Sequence, residues 1–467
     1  MTLAPPRPPV RPAAGRRAPT ADLLRWPDPL DDRMLTHRAG WLTVAHLLVP
    51  GSAQVLAGNR RLGRFALGLW LTGWVLLVVA VALWFLLPQV LLTVPTNAVG
   101  LTLVQVVLAG LAVLHLVLTV DTLRLLRLVR VRPVMRIVTA TVLVVALVAG
   151  VGGAAWAALL AGTARDTVGD VFTGSRYELP ADGRYNVLVL GGDAGAGRSG
   201  LRPDSISVVS IDAISGEMVT FGLPRDLGRV PFPEDSPMHE TYPDGYGENG
   251  CDVDVCQLNS IYTEVELKSP ERYPDAEAQG SSPGIEATRD AAEGALGIEI
   301  QYFVLIDMGA FEDLIDALGG VTVDVKQRLP IGGSVDASGN LVGVEVWIEE
   351  GRQKLNGNRA LWYARSRYGT AGGDYDRMQR QRELQAAILK QVNPVTVLTR
   401  FGRVAKAGSK AVRTDLPQGL AGVFTGLGVK ARGQKATDVD FTPPRVPDTS
   451  APDYAAIRAT VEETLVG

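Results

Sequence analysis

Residues 186–193 read Asn-Val-Leu-Val-Leu-Gly-Gly-Asp, an apolar run stopped by two glycines and a carboxylate. Apolar residues without alternation mark a strand buried on both faces, and the C-terminal end of such a strand is where α/β sheets present ligands. Further strands are expected at 205–211, 218–223, 302–306 and 321–325. Apolar positions at helical spacing predict helices at 259–267, 286–296, 310–318 and 377–392. This alternation defines the fold class: α/β, a mixed central sheet flanked by helices on both faces, preceded by an all-α membrane region.

The membrane region is legible from where charge is missing. The stretches 65–87, 98–120 and 137–161 hold no Asp, Glu, Lys or Arg. Each exceeds the roughly 20 residues that cross a hydrocarbon core, so three transmembrane helices are expected. Arg60, Arg61 and Arg64 precede the first, and Arg124, Arg127, Arg130, Arg132 and Arg136 separate the second from the third. The loop at 88–97 has no basic residue. The positive-inside rule then places the N-terminus in the cytoplasm and everything after about residue 162 outside, in a multi-pass cell-membrane protein with membrane lipid around it.

The stretch 41–57 is shorter and broken by Pro50 and Gly51, which predicts an interfacial or re-entrant segment. The Pro-, Arg- and Ala-rich start predicts a disordered cytoplasmic tail. The expected organisation is a tail at 1–38, the interfacial segment at 39–64, three spans at 65–161 and a linker at 162–184. An extracytoplasmic domain at 185–412 and a C-terminal extension at 413–467 complete it. The net charge of −3 averages an Arg-flanked membrane part with an acid-containing exported part and excludes nothing by itself.

The exported part carries the chemistry. Tyr-Ala-Arg-Ser-Arg at 363–367 is followed by Asp-Tyr-Asp-Arg-Met-Gln-Arg-Gln at 374–381. If 360–367 runs into a short strand, Arg365 and Arg367 share one face, while Arg377 and Gln381 share a helix face. Arginine grips phosphate with a planar, permanently charged fork, so converging arginines point to a polyanion such as pyrophosphate.

Strand ends add to the set. Asp193 closes the first strand, Arg202-Pro203-Asp204-Ser205 opens the second, and Leu223-Pro224-Arg225-Asp226 follows the third. Two carboxylates plus substrate phosphates are the usual Mg²⁺ arrangement, which Asp193 and Asp204 suit. Glycines 191, 192, 195 and 197 match neither a dinucleotide nor a Walker loop, and no nucleotide or nucleic acid is expected. Of four histidines, His37, His46 and His115 fall in the membrane or cytoplasmic part, which argues against Ser-His-Asp hydrolysis. Cys251 and Cys256 lie in an exported loop and are expected to form a disulfide. A zinc site there, with only His239 nearby, falls short of four ligands.

In order, the motifs at 186–193, 202–205 and 223–226, Asp-Ala-Leu-Gly-Gly-Val at 316–321, Leu-Asn-Gly-x-x-Ala-Leu at 355–361 and the Arg-rich run through Gln381 resemble the LytR-CpsA-Psr family over about 185–392. The resemblance implies an enzyme that moves a glycan from a polyprenyl-pyrophosphate carrier to a peptidoglycan sugar hydroxyl through a phosphodiester bond. It implies Mg²⁺ or Mn²⁺ at Asp193 and Asp204, and pyrophosphate held by Arg202, Arg225, Arg365, Arg367, Arg377 and Gln381. Of these, Arg225, Arg365 and Arg367 are the expected catalytic residues. Asp374 is expected to position the final helix and Asp226 to orient Arg225. The family's usual Lys-Ile-Asn is here Gln257-Leu258-Asn259, so one cation near the phosphates is missing, and Arg-Ser-Asp-Thr is Arg202-Pro203-Asp204-Ser205. A pyrophosphatase using water as acceptor, and a non-catalytic envelope-binding or regulatory module, are the alternatives.

Overall fold

Helix caps and glycine breaks set the first elements of the chain. The computed structural model describes residues 31–86, 97–192, 203–336, 338, 340–367, 373–391, 400–431, 434 and 437–466. It divides into two units, 1–85 with 104–159 and 86–103 with 160–467.

In the first unit Asp31 caps helix α1 (Asp32–Leu48), its carboxylate accepting from the Arg33 and Met34 amides. Helix therefore begins inside the segment expected to be a disordered tail, and 1–30 lie outside the described residues. Gly51, at φ +93°, turns the chain into α2 (Ser52–Ala57), a conformation that a side chain would strain. Then come α3 (Arg60–Leu86), α4 (Ala98–Leu126) and α5 (Pro133–Val171). These three are long and apolar enough to cross a membrane and anchor the chain there. Their exposed Trp74, Val78, Val106 and Val145 present surface that lipid covers without cost. The α1–α2 pair is tied to this bundle through Ala39, Leu42 and Ala53 against Leu126, Val131 and Leu143. Gln54 Nε2 donates to Leu118 O and to Thr122 Oγ1, both at 3.0 Å.

The second unit takes in the last turns of α5 and continues beyond it. Strands β1 (Phe172–Gly174), β2 (Arg184–Gly192), β3 (Pro203–Asp212) and β4 (Met218–Leu223) precede helices α6 (Pro237–Thr241), α7 (Leu258–Lys268) and α8 (Pro283–Leu296). Next are β5 (Tyr302–Asp307), α9 (Met308–Leu318), β6 (Val321–Val325), β7 (Leu329–Val335), β8 (Leu341–Ile348) and β9 (Gly351–Leu355). The chain continues through α10 (Gly357–Arg365), α11 (Asp374–Gln391), α12 (Phe401–Ala411), β10 (Val412–Pro417), α13 (Gln418–Ala431), β11 (Thr437–Asp440) and α14 (Tyr454–Val466).

Seven strands form one mixed sheet in the order β1-β10-β5-β2-β3-β4-β11. β2 lies at its centre, parallel to β5 and antiparallel to β3, which is why its residues 187–190 are apolar on both faces. Leu188 and Leu190 face a core built with Ile261 and Val265 of α7, Ala291 and Ala295 of α8, and Ile457 of α14. Tyr185 and Val187 face the opposite side, where Leu427 of α13 covers them. Helices thus lie on both faces.

Four segments differ from the expectation. The strand at 321–325 forms but pairs with β9 in a separate ladder, after a turn in which Gly319 and Gly320 both take φ +91°. Residues 357–365 are a helix rather than a strand. Asn356 caps it by accepting from the Arg359 amide at 3.0 Å, and Gly357, Ala360, Leu361 and Ala364 bury one helical face. Segments read as a linker (162–184) and a C-terminal extension (413–467) contribute strands to the central sheet: β1 pairs with β10, and β11 with β4.

The expected disulfide joins Cys251 to Cys256, with Cα atoms 5.8 Å apart. Its loop is pinned to α7 by Glu264, which accepts from Tyr246 Oη at 2.7 Å and from the Asp252 amide at 3.3 Å. For so short a loop the cross-link contributes about 2 kcal/mol. A Cys251→Ser, Cys256→Ser double variant is expected to melt roughly 4–8 °C lower by calorimetry, and an unchanged Tm would refute that contribution.

Candidate functional site

The strand register determines which residues meet. Ile206 of β3 pairs with Leu223 of β4, so Asp204 near the start of β3 and Arg225 just past β4 emerge at the same end of the sheet. Arg225 Nη1 lies 2.9 Å from Asp204 Oδ1. Arg367, two residues beyond α10, brings its Nη2 to 3.0 Å from the same oxygen. Arg377 of α11 is 2% exposed, donates from Nη2 to the Asp204 carbonyl at 2.9 Å, and holds Nη1 3.8 Å from Oδ1. Three guanidiniums from three separate parts of the chain therefore surround one carboxylate. Guanidiniums gathered at one point in this way present the planar, multi-donor forks that suit a phosphate.

Arg365 is half-buried and ends α10. Gln381 donates from Nε2 to Ala364 O at 3.1 Å, and its buried Oε1 has no partner among the described residues. Its amide thus braces the end of α10. Asp193 and Arg202 lie outside the described residues; Asp374 begins α11, its side chain likewise outside them. Asp226, expected to orient Arg225, accepts from Thr449 Oγ1 at 3.2 Å, while Arg225 meets the Asp204 carboxylate.

Beside the cluster lies an apolar cavity of about 60 Å³. Val189 and Ile306 line it from the sheet, Met308 and Phe311 from α9, and Leu384 and Ile388 from α11; Gly191, Ser205 and Gln381 also border it. Ser205 adjoins Asp204, so hydrocarbon-lined space begins one residue from the cationic cluster.

Sequence reading left three supports unassigned. Buried Arg380 donates from Nε to Tyr363 O at 3.0 Å and from Nη2 to Ser366 O, clamping the turn between Arg365 and Arg367. Burial holds this guanidinium below its ordinary pKa. The signal was present: Arg377, Arg380, Gln381 and Leu384 follow i, i+3, i+4, i+7 spacing, a buried stripe. From the C-terminal region, Thr449 O accepts from the Gly228 amide at 2.9 Å and Tyr454 Oη donates to Gly228 O at 2.8 Å, bracing the loop that presents Arg225. From α7, the Asn259 amide donates to Arg225 O at 3.1 Å, which places the Gln257-Leu258-Asn259 departure directly beside the site.

The motif glycines and acids outside the cluster are packing locks. Asp316 Oδ1 accepts from the Gly357 amide at 2.7 Å, and a Cβ on Gly357 would stand 2.1 Å from Glu312 O. This contact fastens α10 to α9.

Regulatory protein MsrR of Staphylococcus aureus (strain COL) is 30% identical over 256 residues, which cover 54% of this chain and 63% of that protein. Polyisoprenyl-teichoic acid–peptidoglycan teichoic acid transferase TagV of Bacillus subtilis (strain 168) is 27% identical over 241 residues, 51% of each chain. The chain therefore spans between half and two thirds of the length of these relatives. Among solved structures, the crystal structure of B. subtilis TagV is 22% identical with a TM-score of 0.41, covering 61% of this chain and 98% of that one. The LytR-Csp2A-Psr enzyme from Actinomyces oris is 23% identical with a TM-score of 0.39, covering 63% and 94%. The LytR_cpsA_psr family model matches residues 161–457, a span that holds the whole arginine cluster, the cavity and the C-terminal brace, and the chain belongs to that family.

Proposed function

We propose that this protein is a membrane-anchored glycopolymer-phosphate transferase. It takes a glycan from a polyprenyl-pyrophosphate carrier and joins it by a phosphodiester bond to a peptidoglycan sugar hydroxyl. The observation that carries this reading is the convergence of Arg225, Arg367 and Arg377 on Asp204 at the edge of an apolar cavity. A diphosphate bonded to a hydrocarbon chain needs that pairing of a cationic cluster and a dry slot. The TagV relative is named for a polyisoprenyl-linked donor and a peptidoglycan acceptor, the same chemistry in that protein. The arginines that flank α3–α5 orient the N-terminus towards the cytoplasm and the α/β unit outside, where the wall lies.

Phosphoryl transfer asks the protein mainly for positioning and charge neutralisation. The acceptor oxygen attacks the sugar-side phosphorus, the bond from that phosphorus to the bridging oxygen breaks, and polyprenyl phosphate leaves. Arg225 and Arg367 donate to the phosphate oxygens as negative charge builds on the departing group. Arg377, the most buried of the three, keeps Asp204 and hence the other two in place.

The donor set also fits a divalent cation that arrives with the diphosphate. All three arginines meet Asp204 at Oδ1 or the main chain, and Oδ2 carries no hydrogen bond among the described residues. Asp204 and Asp193 would hold Mg²⁺ or Mn²⁺, which would neutralise phosphate charge when bound.

The test is incubation of the full chain with a polyprenyl-pyrophosphate glycan and peptidoglycan, followed by mass spectrometry of the products. Glycan recovered as a phosphodiester on muropeptides is the expected outcome. Free glycan phosphate in its place would make the protein a pyrophosphatase, and an unchanged donor would leave only a binding role.

A further inference from the structure

A second, chemically opposite cleft opens at the β1 edge of the sheet. It measures about 640 Å³, within the range of small-molecule sites, and is lined by parts of the chain distant in sequence. The end of α5 contributes Asp170, α7 contributes Glu266, the 277–282 segment contributes Glu277, Ser281 and Ser282, and the α12–β10 junction contributes Ser409 and Arg413. In the sheet order β1 and β3 are four strand spacings apart, so roughly 19 Å separates this edge from the strand that carries Asp204.

The lining shows what the cleft takes. Three carboxylates against one guanidinium repel a diphosphate, so the donor of the proposed reaction does not belong here. Among the described residues no three acidic, His or Cys groups stand close enough to hold a metal ion. Glu266 is fixed, its Oε2 accepting from the Gly284 amide at 2.8 Å. Arg413 makes no ion pair among the described residues with the carboxylates that share its cleft. Ser281 is 4% exposed, and its hydroxyl has no hydrogen-bond partner among the described residues. A buried hydroxyl left unsatisfied costs about 1–3 kcal/mol unless a ligand completes it.

We propose that this cleft binds a zwitterionic head group, with the ammonium drawn to the acidic lining of Asp170, Glu266 and Glu277, the anionic end held by the Arg413 fork, and the Ser281 hydroxyl completing the contacts. Two sources present that chemistry near a membrane-anchored wall protein. One is the free amino-acid end of a wall peptide, with ammonium and carboxylate on one carbon, and the other is the phosphoethanolamine head of a lipid. The inference rests on the wall-facing, membrane-anchored placement in the proposed function, but not on its transfer chemistry.

The experiment uses the full chain in nanodiscs. In one arm, a muropeptide ending in a free amino-acid centre is titrated calorimetrically against its N-acetylated form. In the other, native mass spectrometry compares retention of phosphatidylethanolamine with that of phosphatidylcholine, whose methylated ammonium cannot donate hydrogen bonds. Selective binding is expected in one arm, weakened about tenfold, or 1.4 kcal/mol, by Arg413→Ala and by the double variant Glu266→Gln, Glu277→Gln. The Glu266→Gln change retains a side-chain oxygen to accept from the Gly284 amide, and an unchanged melting curve verifies the fold. Arg367→Ala, at the other site, should bind like wild type, so loss of transfer and loss of this binding are separable. No binding in either arm, equal binding of N-acetylated or methylated forms, or indifference to both variants overturns the proposal.

Discussion

Arg225→Ala and Arg367→Ala are each expected to lower the transfer rate by about 10² to 10³. Each removes a donor that sits 2.9 to 3.0 Å from Asp204 Oδ1 and would otherwise meet the phosphate oxygens. The loss belongs in kcat more than in KM, because the contact strengthens as charge builds on the departing phosphate. The double variant should fall well short of the product of the two effects, since both side chains hold the same carboxylate. Arg367→Lys keeps the charge but loses the fork, so it should retain part of the rate. The measurement is single-turnover release of polyprenyl phosphate. Wild-type rates in the Arg225→Ala, Arg367→Ala double variant would end the assignment.

Arg380→Met is expected to cost about 3 kcal/mol of stability and most of the activity, although Arg380 does not face the cluster. It leaves Tyr363 O and Ser366 O without their charged donor inside a buried turn, and hydrogen bonds to charged groups contribute about 1.5–3 kcal/mol each. The Tm should fall roughly 5–10 °C. Arg365 and Arg367, on either side of that turn, would lose their fixed spacing. Positioning is distinguishable from general damage. Rate measured well below the lowered Tm should still be depressed, with donor affinity reduced less than turnover. A variant with normal kcat at low temperature would reduce Arg380 to a structural prop.

The central strand, the neighbouring helices and the three membrane helices were legible because local pattern decided them: an apolar run for β2, charge-free length for α3–α5. The arginine motifs were legible because the residue type is unusual beside Leu361, Trp362 and Tyr363. Helix α10 was misread as a strand because arginines at i and i+2 suit strand alternation, whereas the cap at Asn356 and the buried face of Ala360, Leu361 and Ala364 decide the segment. Arg377 and Arg367 meet Asp204 across more than 160 residues of sequence, a contact that tertiary packing alone creates. The two outer strands β1 and β11 are three and four residues long, too short for any periodic signal. Their partners lie far away in sequence, which is why 162–184 and 413–467 read as linker and extension.

Those short strands govern how the molecule can be made. β1 waits for β10 to pair Phe172 with Thr414, and β4 waits for β11 to pair Val219 with Thr437. A nascent chain therefore exposes an incomplete β surface until Thr437–Asp440 has been synthesised, and closing such distant pairings is slow. Biogenesis depends on whatever shields that surface in the interval, and premature termination ahead of Thr437 leaves a product fated for proteolysis.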